Sequence, residues 1–450
     1  MTRHIIKIII ICLLLVLPMA APGQTNLPKY ESDGWWSTLY RGGMIRTKEE
    51  GRRTGKYYLN LPDGLSGWFN GNYVDGFFYG PGLTLGKVNE DCSRYEIDAD
   101  VKYSTERQAF MGRFSVRYIF APEYQGNVSL FAQRYTDDFD PEPMMSASLS
   151  STASALFGWN SYKLYLKSAL GAKGTIALLD DLQLTSAVWW EGRERMKNNR
   201  KRNAFRVVGE DNYPRMRGYD PAEAENCALT NWHLDQLVRL DLQLSYSLGR
   251  WILVKDDLHS SCICKAPEFT IKMRTAYNGN WDDCADYGTL QQEAGEDKVI
   301  GWKYGVRYLS LELGVSQELE QEHQRLRYMG SAGCFVVRNN IGLADMRHFD
   351  ATHYLWQETN SLTWFSLLTN YELSTSRHWA ELHGEYLRKH NSFFAQYAQI
   401  HYLTVAKHCP HYELSYGWQL PQDLRFGLSA GWDGATFDGL GFNLILPLKQ

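Results

Sequence analysis

Beyond Leu17 the 450-residue chain has no long apolar run, and its mean hydropathy is −0.40. A polytopic helical membrane protein needs repeated stretches of roughly 20 apolar residues, so that class is excluded. Charge of a single sign is missing too. The 47 Lys and Arg are interleaved with 51 Asp and Glu for a net charge of −4, leaving no basic patch of the kind nucleic acid requires. There is no H-E-x-x-H, and Cys262-Ile-Cys264 has no second cysteine pair at ligand spacing, so neither metal nor other cofactor is expected. No segment is of low complexity. Aromatic residues, by contrast, are plentiful: 28 Tyr, 19 Phe and 15 Trp make up 14% of the chain, enough for two interfacial girdles.

Those aromatics sit in alternating rows. In Ser93 to Ser104, Tyr95, Ile97, Ala99, Val101 and Tyr103 alternate with Arg94, Glu96, Asp98, Asp100 and Lys102. Successive strand side chains point to opposite faces, so this strand is apolar on one face and charged on the other. The same rhythm returns at Phe110, Phe114, Val116 and Tyr118 against Arg113, Ser115 and Arg117. It returns again at Leu240, Leu242 and Leu244 against Asp241, Gln243 and Ser245, and at Tyr412, Leu414 and Tyr416 against His411, Glu413 and Ser415. Segments of this length match the roughly 9–11 residues that a tilted strand needs to cross a bilayer. The pattern predicts an all-β fold, a transmembrane antiparallel β-barrel of roughly 16 strands (range 14–18), with the possibility of lumenal loops.

The N-terminus reads as a secretory signal peptide over residues 1–23: Arg3 and Lys7 precede an apolar run from Ile8 to Leu17, and Ala21-Pro22-Gly23 offers a cleavage site. Residues 24–65 read as a polar lead, too short for a plug domain, and residues 66–450 as the barrel. The expected location is the outer membrane of a Gram-negative bacterium, with its lipid as the surrounding partner. Seven cysteines remain after cleavage, and Cys227, Cys262, Cys264 and Cys284 fall in or beside polar connections that disulfides could staple. One conflict stands in this layout. The connections 137–160, 194–234, 278–299 and 338–358 fall on the same side as the termini, where bacterial barrels put short turns. Either a strand is miscounted on each side of those loops, or some segments, among them the expected strand 360–373, fold into the lumen.

Tyr73-Val74-Asp75-Gly76-Phe77-Phe78-Tyr79-Gly80-Pro81 resembles the strand that opens the barrel in an uncharacterised Bacteroidetes outer-membrane family. The resemblance continues through Asn127–Asp140, Asp345-Met346-Arg347-His348-Phe349, Phe365–Thr375, Ala380–His383 and His411–Leu414. Longer members of that family carry an N-terminal carboxypeptidase-regulatory-like domain, and this chain resembles a short form without it. The family lends a fold and no established activity. A more distant, fold-level similarity links the opening strand and the C-terminal hairpins to surface-antigen barrels that insert or secrete other proteins. The last strand, with Leu440, Phe442, Leu444 and Leu446 on one face, resembles the signal read by the barrel-assembly machinery, which is therefore an expected partner. Any other protein partner is unknown.

Nine of the twelve histidines lie from His323 onward. Arg377, Glu381, His383 and Glu385 share one face of a predicted strand, and His401 and His411 are expected to face inward from its neighbours. Carboxylates flanking an imidazole can tune a base or bind a cation, but a polar lumen needs the same residues for ion pairs and hydrogen bonds. Gly427-Leu428-Ser429-Ala430-Gly431 matches G-x-S-x-G, yet it lies inside an alternating strand, whereas a nucleophile elbow needs a strand, a turn and a helix. No catalytic residue is assigned. The expected function is a non-enzymatic barrel in transport, envelope assembly or surface interaction. The alternatives are a passive or gated channel for small solutes and, third, an outer-membrane hydrolase.

Overall fold

The computed structural model describes residues 43–46, 57–61, 68–72, 74–89, 93–120, 126–138, 164–179, 181–196, 234–247, 250–254, 259–263, 266–278, 305–339, 341, 343–349, 356–357, 362–363, 365–368, 372–374, 378–391, 393–406 and 409–445. They are nearly all β-strand, and twenty strands join one sheet. None of the described residues forms a helix long and apolar enough to cross a membrane.

Two of the passes are interrupted. Tyr57–Leu61 and Phe69–Asn72 lie end to end along Gly76–Tyr79 and Gly82–Val88, themselves one strand broken at Gly80-Pro81. The break has a steric cause: Gly80 has φ +155°, and a Cβ there would lie 1.9 Å from the Val101 carbonyl oxygen. Pro81 has no N–H to give the ladder. An antiparallel meander follows through Arg94–Ser104, Ala109–Phe120, Gly126–Asp138, Leu164–Leu179, Leu182–Arg195, Leu234–Ser247, Glu268–Asn278, Val306–Gln321 and Gln324–Arg338. It then continues through Trp379–Asn391, Phe394–Val405, His411–Gln419, Arg425–Asp433 and Thr436–Ile445. With the interrupted passes joined, the meander from Tyr57 to Ile445 has sixteen passes, and the short strand Gly43–Arg46 pairs at its front. Among the described residues no ladder joins that front strand to Thr436–Ile445. The outer edge of the last strand is instead met in parallel by Trp356–Gln357 at Leu444 and Ile445.

The expected number of strands is reached by a different set. The stretch 360–373 is not a pass of the wall: among its described residues, Phe365 to Leu368 pack inside, and Glu372 and Leu373 begin a short strand that pairs with Arg347–Phe349. Phe365, Leu367 and Leu368 do not alternate cleanly with polar residues, so a strand there would have put apolar side chains on both faces. In its place the sheet gains the interrupted pass Tyr57–Asn72, part of which falls in the stretch read as a polar lead. It was illegible because each half is only four or five residues long. Adding one strand before the long loops and removing one after them resolves the conflict in the layout. The four long connections now all lie at one end, alongside a few short turns, while the other end carries mostly short turns together with the end of the last strand. The hairpin Arg250–Val254 with His259–Ile263 is the one larger excursion at the short-turn end among the described residues.

The wall is inverted relative to a soluble protein. Leu130, Leu170, Leu313, Leu428 and Leu440 are exposed, whereas Glu191, Glu385, Glu413, His383 and Arg425 are at most 1% exposed. Lipid is the solvent that makes such an exterior favourable, and a polar interior follows from the alternation. The rows expected from the sequence hold in place: Tyr95, Ile97 and Val101 face out, and Glu96, Lys102 and Ser104 are buried inside. The signal peptide and Cys92, Cys227, Cys264 and Cys284 fall outside the described residues, as does the side chain of Cys262, while Cys334 and Cys409 are free thiols.

Candidate functional site: the lumen and its inward segment

The main apolar core lies inside the barrel mouth at the long-connection end. Ile341, Met346, Phe349, Phe365 and Leu368, from the connection between Arg338 and Trp379, pack against Tyr165, Leu237, Tyr308, Phe335, Trp379 and Leu403 of the wall. Two short strands, Arg347–Phe349 and Glu372–Ser374, pair within this connection. The wall therefore wraps around a piece of its own chain, which supplies apolar surface that a lumen lined only by polar residues could not bury.

Three polar latches hold the segment. On one wall, Arg193 donates from Nη1 and Nη2 to the two carboxylate oxygens of Asp345, at 2.7 and 2.8 Å. Its Nε donates to Glu191 at 2.6 Å, and Tyr308 Oη donates to Asp345 at 3.0 Å. Burial by itself would raise the Asp345 carboxyl, but the Arg193 guanidinium, with Arg307 and Arg239 nearby, outweighs it and holds the group well below the usual carboxylate range. On the opposite wall, Glu413 accepts backbone N–H bonds from Ser366, Leu367 and Leu368 at 2.5, 2.8 and 3.1 Å. Gly431 and Gly441 leave room for Leu367, whose carbons lie 3.0 and 2.6 Å from where their Cβ atoms would be. Between the two walls, Arg347 pairs with Glu381, which also accepts from Ser331 Oγ at 2.6 Å.

The histidines expected at the lumen surround the same segment. Phe365 meets the rings of His383, His401 and His411 at centroid distances of 5.1, 5.8 and 5.8 Å. His383 Nδ1 and His401 Nδ1 lie 2.9 Å apart, so one ring donates a proton that the other accepts. His411 is held between Asp433 at 2.6 Å and Glu413 at 2.9 Å. Nearer the short turns, Glu385 gathers Arg425 at 2.5 Å, Arg327 at 2.8 Å and Arg325 at 3.3 Å, with Gln399 donating at 2.9 Å.

Glu381, His383, Glu385, His401 and His411 are thus all buried in the lumen, but they form two layers rather than one cluster. Arg377 lies outside the described residues, and the cation on Glu381 is Arg347. Sequence reasoning did not assign Arg193, Asp345, Glu413 or Arg425 to the site. Asp345 and the Phe365 block were visible only as pieces of the family resemblance, because nothing in local periodicity says that a loop turns inward. His411, Asp433 and Asp438 each bring a ligand-type atom within 4.8 Å of the others, the one such group among the described residues. Both His411 nitrogens already face carboxylates. Ser429 Oγ lies 2.6 Å from Ser415 Oγ and accepts from Asn443 Nδ2 at 2.6 Å. That is a hydroxyl ladder with no imidazole in it.

A wall of alternating strands with lipid-suited residues outside and a charged, buried interior defines a transmembrane β-barrel. The chain belongs to a family of unknown function, DUF5686, matching its C-terminal domain over residues 46–305 and 300–418. No curated protein matches it significantly. Among solved structures it is similar to BamA from Haemophilus ducreyi lacking POTRA domains 1–3, at 9% identity over 91% of this chain and 75% of that one, with a TM-score of 0.40. It is also similar to the ferric-catecholate import receptor Fiu from Escherichia coli K12 in its closed form, at 9% identity over 88% of this chain and 64% of that one, with a TM-score of 0.30.

Proposed function

We propose that this chain is a non-enzymatic outer-membrane barrel serving transport or envelope assembly, whose resting lumen is closed on one side by its own inward segment. The observation that carries this reading is the latching of one connection to opposite walls, through Asp345 on Arg193 and through residues 366–368 on Glu413. A passive pore has no use for a segment gripped at both ends by buried charge. A barrel that opens on demand does, because such latches are bistable: they are strong when fully paired and costly when half-made. Confinement of the four long connections to one end favours an orientation with the latched mouth toward the cell exterior. The residue pattern at 1–23 supports export across the inner membrane. The match to a C-terminal domain supports the expectation that longer relatives carry a domain in front.

The hydrolase alternative lacks a base at Ser429, whose partners are another serine and an asparagine. Planar-bilayer recording on refolded full-length protein tests the main reading. Wild type is expected to show little steady conductance, and a Asp345→Ala/Glu413→Ala variant to show open steps. A large steady wild-type conductance would establish the passive-channel alternative.

A further inference from the structure

The lumen also holds a cavity of about 530 Å³ in the middle of the wall. Its charge is lopsided. Arg113, Lys167, Lys173, Lys272 and Arg274 line it, against Asp137 and Asp241. Most of these groups are spoken for: Lys167 pairs with Asp137 at 3.3 Å, and Lys272 with Glu312 at 3.3 Å. Asp241 stands opposite Arg274 in the ladder, yet both of its oxygens accept from Arg239, at 2.9 and 3.1 Å. Among the described residues, Arg274 and Lys173 side chains therefore have no carboxylate in contact. The carboxylates near Arg274, Asp241 and Glu312, are engaged by Arg239 and Lys272, so this guanidinium is under-neutralised and a bound anion is the simplest relief. Gln133, Gln243 and Thr185 add neutral hydrogen-bonding groups, and the Trp189 ring contributes a flat apolar face.

We propose that this cavity binds a small organic anion carrying phosphate or carboxylate groups, with Arg274 making the fork-like contact and Lys173 the second charge. The site rests on the reading of the barrel as a lumen-bearing envelope protein, and it deepens that reading by naming a ligand class. It does not depend on the inward segment's being a gate. The cavity is much larger than inorganic phosphate, so a diphosphate or tricarboxylate should bind better than a single phosphate.

Isothermal titration of the detergent-folded full chain with pyrophosphate, citrate and inorganic phosphate tests it, each at two salt concentrations. Saturable binding of pyrophosphate or citrate, weaker at high salt, is expected. Arg274→Gln should weaken it by roughly tenfold or more, Lys173→Gln by a smaller factor, and Arg134→Gln, on the rim outside the cavity, not at all. Heat-modifiable migration checks that each variant is folded. If Arg274→Gln fails that check, Lys173→Gln, which perturbs a lumen-exposed side chain, carries the test. Absence of saturable binding, or binding unchanged in the folded variants, overturns the proposal. Because binding is read without conductance, its failure is separate from a failure of the gating reading.

Discussion

Arg193 and Asp345 are 152 residues apart in the chain and meet in a two-pronged ion pair that is shut away from solvent on both sides. The pair ties a connection to a wall strand that is not its neighbour in the meander. It can therefore be broken without touching any ladder hydrogen bond, which makes it a clean point of attack on the inward segment.

Asp345→Ala should leave Arg193 buried without the carboxylate that takes both its Nη groups and cost roughly 3 kcal/mol, at the low end for a broken buried pair because Glu191 remains. Replacing both Arg193 and Asp345 by leucine should recover only part of the loss, since Glu191 and the Tyr308 hydroxyl each lose a partner. Urea unfolding of the folded barrel in detergent measures both. A double variant no better than the single one would show that the pair is not acting as a unit.

The same latch has a defined pH response. Asp345 is held below the ordinary carboxylate range in the folded state because Arg193, with Arg307 and Arg239, outweighs the effect of burial. A carboxyl with a depressed folded pKa contributes stability fully above its unfolded value, about 4, and loses it only as pH falls toward the folded one. The stability difference between wild type and Asp345→Asn should therefore be nearly equal at pH 7 and pH 5 and should shrink only in stronger acid. A difference that vanished by pH 5 would contradict the latch geometry.

Glu413 gathers three consecutive backbone N–H groups, so its removal should expose them together. Glu413→Ala should speed amide exchange at Ser366, Leu367 and Leu368 by an amount corresponding to roughly 1–3 kcal/mol, with smaller changes in the ladder of His411–Gln419. Uniform acceleration over the whole barrel would mean that Glu413 supports the wall, not the segment.

Adjacent residues on one strand should respond in opposite ways to the same charge. Phe114 faces outward midway along Ala109–Phe120, and Ser115 faces inward, where its hydroxyl donates to Asp98 at 2.9 Å. Phe114→Arg should cost about 2–4 kcal/mol if it lies near the bilayer centre, while Ser115→Arg finds Asp98 as a partner and should be mild. Folding yield in lipid vesicles compares them, and equal yields would invert the assignment of inside and outside.

Most of the wall was legible in the sequence because it rests on a local rule. Alternation of period two assigns a face to every side chain, and lipid outside with charge inside makes the two faces chemically unlike. That rule assigned Glu381, His383, Glu385, His401 and His411 to the inward face, and all five side chains are buried. It failed where strands are too short to show a period, at Tyr57–Leu61 and Phe69–Asn72, and where an apolar stretch follows no strand at all, at Phe365 to Leu368.

The sequence by itself determined the class of fold, the membrane-facing and lumen-facing rows, and the spacing of most turns, since each depends on residues only a few positions apart. Only the tertiary structure decided which charges meet. Glu381 is joined by Arg347 and Asp345 by Arg193, through contacts that no periodicity encodes because the partners come from a connection turned into the lumen. The same holds for the interior: where the connection between Arg338 and Trp379 goes is set by the apolar surface and buried charge awaiting it on opposite walls.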